Sequence, residues 1–147
     1  MGRRSLYQLP EATTDVYVAD TIGELGTLFA LSPVALIGGS LVDKGGQNPV
    51  EAIRHGAAVL TGPHHKNFDD IFEALLEKGG AQKVSTSEEL ARAVIALIGD
   101  PAGLAEQRTK ANNAVNEMKG ALETTVEALI ARLPETTSDQ KELDCAS

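Results

Sequence analysis

The chain has 147 residues, and 42% of them are hydrophobic, so it is large enough for one domain with its own core. It carries 13 Lys and Arg against 21 Asp and Glu, and the resulting net charge of −8 disfavours nucleic acid as a partner. The single cysteine, Cys145, excludes an intramolecular disulfide and favours a cytoplasmic protein, and no apolar run is long enough to predict a membrane span.

The first expected elements are a strand and a helix. Residues 16–19 are short and rich in β-branched side chains, a pattern that predicts a strand. Thr21 and Glu24 have the spacing of a capping box, in which two side chains satisfy free N–H groups at the start of a helix. A helix from Thr21 to about Ala30 is therefore expected.

A buried strand and a glycine-rich loop follow. Residues 33–37 are continuously apolar, as in the strands of parallel sheets, and residues 38–46 contain two Gly-Gly pairs. Such backbone freedom is destabilising unless a tight turn or the close approach of a ligand requires it. Asn48 suits the N-cap of the next helix, Pro49 its first position and Glu51 its third, and this helix is expected to end near His55.

The second half of the chain repeats this alternation and ends in a long helical segment. Strands are expected at 57–60 and 81–84, and helices at about Asn67 and at Thr86, where Thr86 and Glu89 form a second capping box. A helical stretch from Pro101 to about residue 133, interrupted near Gly120, precedes an acidic tail at 134–147 that we expect to be disordered. The alternation predicts an α/β domain at 1–133, with about four strands in a Rossmann-like parallel sheet flanked by helices.

Two segments, residues 20–26 and 38–51, combine a strand end, glycines and a carboxylate at an expected helix start. In an open parallel sheet, ligands bind beyond the carboxyl ends of the strands, where both segments should lie. Backbone N–H groups there can hold a phosphate, and a carboxylate can accept two ribose hydroxyls, so the two segments predict a nucleotide site. The same patterns would arise if Glu24 and Glu51 only capped their helices, and the sequence leaves this alternative open.

Further polar residues near these segments could contact a phosphate or a sugar, namely Ser40, Lys44 and Lys66. For the two lysines, a freely solvated side chain is the alternative. His64 and His65 are adjacent and point apart, and no other residue completes a ligand set at the usual spacing, so we expect no metal.

Four motifs, taken together and in order, resemble the C-terminal domain of 3-deoxy-D-manno-octulosonic acid (Kdo) transferases. They are VYVADTIGELG at 16–26, GGSLV at 38–42, GGQNPVE at 45–51 and GPHHKNF at 62–68, and the likeness covers about residues 3–133. The resemblance implies one half of a two-domain GT-B fold. It also implies transfer of Kdo from CMP-Kdo to a lipid A precursor at the cytoplasmic face of the inner membrane, with no metal or other cofactor in the donor site.

The resemblance further implies which residues contact the CMP part of the donor: Ile22, Gly23, Glu24, Asn48, Pro49, Val50 and Glu51. Ile22 and Val50 stand where methionine and leucine are more usual, and Gln47 stands where histidine is common. In the family, the proposed general base lies in an N-terminal acceptor domain, and a Pro-Arg element that also binds CMP precedes the matched region. No counterpart of either is present before Met1, so we expect the chain alone to lack transferase activity.

The expected partners are CMP-Kdo, the N-terminal acceptor domain and, only through that domain, the lipid A precursor. Two other functions stay open. One is a stand-alone nucleotide-binding or regulatory module that kept the fold without catalysis. The other is a GT-B domain that uses a different nucleotide sugar, such as a UDP-sugar.

Overall fold

The computed structural model of the chain describes residues 1–132, without the side chains of residues 119–127. It contains two parallel sheets. A two-stranded sheet pairs β1 (Gly2–Arg3) with β2 (Tyr17–Val18), and a three-stranded sheet has the order β3 (Val34–Leu36), β4 (Ala58–Thr61) and β5 (Ala81–Lys83). The predicted α/β class, with a parallel sheet flanked by helices, is confirmed.

The expectation of about four strands in one sheet is wrong for the first strand. Residues 17–18 pair with the start of the chain instead of joining β3, and Gly2 N–H donates to the carbonyl of Val16 at 2.9 Å. A Cβ atom at Gly2 would lie 3.1 Å from the ring of Tyr17, so the absence of a side chain allows the two segments to approach closely. The main sheet therefore has three strands.

The described part of the chain contains five α-helices: α1 (Leu25–Leu31), α2 (Val50–Arg54), α3 (Asp69–Glu77), α4 (Ser87–Gly99) and α5 (Pro101–Ile130). The predicted interruption near Gly120 is wrong, because the backbone of α5 is one continuous helix of 30 residues. A glycine lowers helix stability by about 1 kcal/mol but does not by itself end a helix. The domain boundary at residue 133 and the acidic tail lie outside the described residues, and none of the described helices is long and apolar enough to cross a membrane.

The core lies on both faces of the three-stranded sheet, because successive side chains of a strand point to opposite faces. Val59 of β4 packs in a cluster with Phe72 and Leu75 of α3, whereas the next residue, Leu60, packs with Leu97 of α4. All four residues of β4 are buried. The central strand is therefore covered on both sides, which accounts for the apolar run at 57–60.

The chain divides into two compact units, residues 1–116 and a second unit that begins at Glu117. Both sheets, helices α1 to α4 and every residue of the predicted site lie in the first unit. The first part of α5 is bonded to the sheet region of this unit: the buried Gln107 amide donates to the carbonyl of Val59, and the Arg108 guanidinium donates to the carbonyl of Pro33, both at 3.0 Å.

Candidate functional site

The first predicted segment is a surface loop rather than the first turn of a helix. We call residues 20–24 the site loop. Helix α1 begins at Leu25, and Glu24, at its N-cap position, makes no capping hydrogen bond. Gly23 has a φ of +93°, which a right-handed helix does not admit, and Ile22 is fully exposed. The expected helix start at Thr21 is therefore wrong, and the Thr21 hydroxyl donates to the Glu24 carboxylate instead.

The Glu24 carboxylate forms an ion pair with Arg4, a residue that the sequence reasoning did not single out. Arg4 Nε donates to both carboxylate oxygens, at 3.0 and 2.9 Å, and Arg4 Nη2 donates to Oε1 at 2.5 Å. These bonds, with a smaller contribution from the Thr21 hydroxyl, lower the pKa of Glu24 to about 2. Glu24 is therefore an ionised carboxylate that takes up a proton only weakly at neutral pH.

The other end of the site loop is held in a similar way. The Ser5 backbone N–H and hydroxyl donate to the two carboxylate oxygens of Asp20, at 2.9 and 2.7 Å, and Arg3 forms an ion pair with the same group. The Ser5 hydroxyl is the largest cause that holds the pKa of Asp20 well below its ordinary value. Two adjacent arginines in an acidic chain were the available sequence signal, but the pattern did not reveal their partners.

Ser40, expected as a possible phosphate or sugar contact, is fully buried. Its hydroxyl donates to the carbonyl of Ile37 at 2.6 Å and accepts from the N–H of Gly62 at 2.8 Å. The Ser40 carbonyl also accepts from the N–H of His64 at 2.9 Å. Ser40 therefore links the loop after β3 to the loop after β4, and its buried hydroxyl is engaged within the protein.

The second glycine pair of the loop is explained by positive φ angles and by the close approach of the segment after β4. Gly45 and Gly46 are buried and have φ values of +84° and +69°. A Cβ atom on Gly45 would lie 2.5 Å from the Asn67 amide, and one on Gly46 would lie 3.2 Å from the Cα of His65. Asn67 N–H also donates to the carbonyl of Gly45 at 3.0 Å. The loop needs these glycines because the segment after β4 packs directly against it.

The second predicted segment, residues 48–51, alternates surface and interior positions. The Asn48 side chain caps the helix as expected, since its Oδ1 accepts from the N–H of Val50 at 2.9 Å, although α2 begins at Val50 and thus one residue later than predicted. Pro49 is buried, and Val50 packs against the core. Asn48 and Glu51 are exposed, and the Glu51 carboxylate has no hydrogen-bond partner among the residues that the structure describes.

The lysines and histidines near the loop differ in their surroundings. Lys44 is exposed, whereas Lys66 Nζ forms an ion pair with Asp43 at 3.0 Å and holds the pKa of Asp43 below its ordinary value. His65 Nδ1 lies 2.8 Å from Asp69, and its ring lies 4.9 Å from that of Phe72. Within the described part of the chain, no three His, Cys, Asp or Glu side chains come together as a metal site would need.

The two predicted segments lie on neighbouring elements. Helices α1 and α2 are in contact, and a Cβ atom at Gly26, in the first turn of α1, would lie 2.7 Å from Nε2 of His55, at the end of α2. Because α2 has five residues, it extends only about 7.5 Å along its axis. The site loop and residues 48–51 therefore lie at the starts of two helices that are in contact with each other.

A cavity of about 260 Å³ lies beside the site loop. Arg4 and Glu24 line it together with mainly apolar residues: Pro10, Tyr17, Ala19, Thr27, Leu28 and Leu31. The ion pair therefore has an apolar wall on one side, although about two fifths of each side chain remains exposed, at 38% for Arg4 and 37% for Glu24.

No protein-family model matches the chain. The chain is 39% identical to a 3-deoxy-D-manno-octulosonic acid transferase from Haemophilus influenzae over 132 residues, which make up 86% of this chain and 30% of that protein. It is 32% identical to a probable mitochondrial enzyme of the same name from Arabidopsis thaliana over 126 residues, which make up 84% of this chain and 28% of that protein. The chain is thus a relative of the Kdo transferases. It spans about 30% of the length of these relatives.

The fold is similar to the crystal structure of the C-terminal CMP-Kdo binding domain of WaaA from Acinetobacter baumannii. The TM-score is 0.74 and the sequence identity 29%, over 77% of this chain and 59% of that chain. The expected resemblance to the C-terminal, donor-binding domain of Kdo transferases, one half of a GT-B fold, is confirmed.

Proposed function

We propose that the chain binds CMP-Kdo as the donor domain of a glycosyltransferase that transfers Kdo to a lipid A precursor. The observation that carries the proposal is the similarity, in both sequence and fold, to the CMP-Kdo binding domain from Acinetobacter baumannii. The proposed CMP site consists of the seven positions of the two segments: Ile22, Gly23, Glu24, Asn48, Pro49, Val50 and Glu51. The contact between Gly26 and His55 supports their action on a single ligand.

The seven positions have different proposed roles. Glu51 has an exposed carboxylate without a protein partner, so it is the best candidate to accept the two ribose hydroxyls. Asn48 uses its side-chain oxygen for the N–H of Val50, which leaves its amide N–H₂ group to donate to the ligand. Ile22 and Gly23 present exposed backbone, whereas Pro49 is buried and supports the segment from inside.

The chain alone is proposed to be inactive as a transferase. A general base that accepts the proton of a sugar hydroxyl works best with a pKa near the operating pH. Glu24 has a pKa of about 2, and the pKa of Asp20 is also lowered, so neither carboxylate of the site loop suits that role. The base, the acceptor site and contact with the lipid A precursor at the cytoplasmic face of the inner membrane are assigned to the N-terminal acceptor domain.

The test is an NMR titration of the 147-residue chain with CMP, using UMP and AMP as controls. Shifts that are selective for CMP and centred on the amides of Ile22–Glu24 and Asn48–Glu51 are expected. Equal affinity for UMP would instead favour a different nucleotide-sugar donor. If saturating CMP moved none of these amides, the proposed donor site would be wrong for this chain.

The variant Glu51→Gln tests the main polar contact. Loss of a hydrogen bond to a charged group costs about 1.5–3 kcal/mol, so CMP binding should weaken by about 10- to 150-fold. Glu73→Gln is a matched control, because Glu73 is exposed on α3 and outside the proposed site. Equal CMP affinities for both variants would exclude Glu51 as a ligand contact.

A further inference from the structure

Three consecutive residues near the start of the chain, Arg3, Arg4 and Ser5, hold both ends of the site loop. We call them the arginine clip. Ser5 and Arg3 bind Asp20, the first residue of the loop, and Arg4 binds Glu24, the last. Glu24 is also held by α1, because its carbonyl accepts from the N–H of Leu28 at 3.2 Å, so the clip is a second attachment of this end of the loop.

The clip itself is fixed by local structure. Arg3 belongs to β1, which pairs with β2, and Asp20 follows β2 by two residues. Arg4 and Ser5 lie in a single 3₁₀ turn that ends at Tyr7, whose N–H donates to the carbonyl of Arg4 at 2.9 Å. The pairing of β1 with β2 therefore brings the two arginines to the loop.

Between the two anchored carboxylates, the loop has little support of its own. Ile22 is fully exposed, and a Cβ atom at Gly23 would meet no described atom within 4 Å. The exposed backbone of these two residues is part of the proposed CMP contact. Its position is therefore determined mainly by Asp20 and Glu24 at its ends.

The Glu24 carboxylate has little capacity left for a ligand. Oε1 accepts from Nε and Nη2 of Arg4, and Oε2 accepts from Arg4 Nε and the Thr21 hydroxyl. A carboxylate offers about four acceptor positions, and three donor hydrogens already bind this one, because the single Nε–H of Arg4 is shared between the two oxygens. Glu24 is thus better placed to shape the loop than to bind ribose hydroxyls itself.

We propose that Arg4 is a positioning residue of the donor site, which acts through Glu24 to hold the backbone of Ile22 and Gly23 in the conformation that binds the nucleotide. The inference rests on the proposed function for its ligand, CMP, but the effect of Arg4 on the loop exists without ligand. Asp20, with Ser5 and Arg3, performs the same task at the other end of the loop.

The first experiment is free of ligand. Arg4→Gln should shift the amide signals of Ile22 and Gly23 and raise the pKa of the Glu24 carboxyl group, followed by side-chain ¹³C NMR during an acid titration. Arg4→Lys should restore the charge but not the bidentate geometry, and should give intermediate shifts. Arg92→Gln, which removes an exposed arginine of α4, is the matched control and should leave the loop signals unchanged. Unchanged loop amides in Arg4→Gln would overturn the inference.

The second experiment measures CMP affinity in a double-mutant cycle of Arg4→Gln and Glu24→Gln. Arg4→Gln should weaken CMP binding about tenfold in the wild-type background, which is a typical size for energetic coupling between positions. In the Glu24→Gln background, the same change should have almost no effect on CMP binding. The same loss in both backgrounds would overturn the inference, because Arg4 would then contact the nucleotide directly. If the wild-type chain did not bind CMP, the proposed function would be wrong, and so would the proposed effect of Arg4 on CMP binding. The ligand-free amide shifts would still decide whether Arg4 holds the loop in its conformation.

Discussion

Replacing Gly62 with alanine should force the loop after β4 apart from the loop after β3, which leads to residues 48–51 of the candidate site. A Cβ atom at Gly62 would lie 2.1 Å from the carbonyl oxygen of Ser40 and 2.3 Å from its carbonyl carbon. Carbon and oxygen atoms in close contact are normally about 3.3 Å or more apart. Because the opposing atoms belong to the backbone, no side-chain rotation relieves the overlap, and the loops must separate by about 1 Å.

The cost follows from the bonds that this separation disturbs. Gly62 N–H donates to the Ser40 hydroxyl at 2.8 Å, and His64 N–H donates to the Ser40 carbonyl at 2.9 Å. Each bond contributes about 1 kcal/mol, and overpacking adds about 1–3 kcal/mol. We therefore expect Gly62→Ala to lower the free energy of unfolding by about 3–5 kcal/mol, a large part of the total stability of a typical domain.

Urea denaturation followed by circular dichroism measures this change as a lower midpoint with an unchanged m-value. Gly99→Ala is the control, because Gly99 is the last residue of α4 and an added Cβ would meet no described atom within 4 Å. The free energy of unfolding should stay the same or rise by up to about 1 kcal/mol. If Gly62→Ala cost less than about 1 kcal/mol, the close contact with Ser40 would not hold in solution. If Gly62→Ala did not fold at all, Ser40→Ala would provide a milder test, with an expected loss of about 1–3 kcal/mol because a buried N–H group loses its acceptor.

Two further predictions concern the start of the chain. Tyr7 has a φ of 58° and is 91% exposed, so burial of the ring does not offset the cost of its left-handed backbone. Tyr7→Asn should raise the free energy of unfolding by up to about 1 kcal/mol in the same urea assay. A clear decrease in this free energy would show that the ring makes a stabilising contact. Acid should weaken the ion pair between Glu24 and Arg4 that holds the site loop. Because the pKa of Glu24 is lowered from 4.5 to about 2, the stabilisation by this ion pair is complete above pH 4.5 and is lost as the pH falls towards 2. The melting temperature should decline through this window in the wild type and less steeply in Arg4→Gln, and parallel curves would contradict this origin of the decline.

The two capping-box patterns show how far local sequence predicts structure. Thr86 and Glu89 form the expected helix start: the Glu89 N–H donates to the Thr86 hydroxyl at 3.1 Å, and the Glu89 carboxylate accepts from the N–H of Ser85 at 2.7 Å. Thr21 and Glu24 have the same spacing but do not cap a helix. The Glu24 carboxylate instead binds Arg4, 20 residues away in sequence, and a motif of four residues contains no information about that contact.

Buried strands were predicted well, and polar site residues less well, for a related reason. The strands expected at 33–37, 57–60 and 81–84 are each found, to within one residue, in the three-stranded sheet. The central strand is buried along its whole length, and such burial on both faces leaves a local pattern of apolar residues. Ser40 and Glu51 both follow glycines in a polar segment, yet one is fully buried and the other exposed. The burial of Ser40 depends on Gly62, a residue 22 positions later, so sequence proximity could not distinguish a structural hydroxyl from a ligand contact.

Within the described chain, β3 pairs with β4 on one side only. Pro33 and Ile37 exchange hydrogen bonds with β4, so Val34 and Leu36, which alternate with them, direct their backbone groups to the opposite edge. The Ser32 hydroxyl donates a hydrogen bond to the carbonyl of Val34 at 2.6 Å, and Leu36 remains partly exposed at 37%. Such an edge is a template for another strand, so the concentration at which the purified chain self-associates will depend on β3 as well as on the repulsion from a net charge of −8.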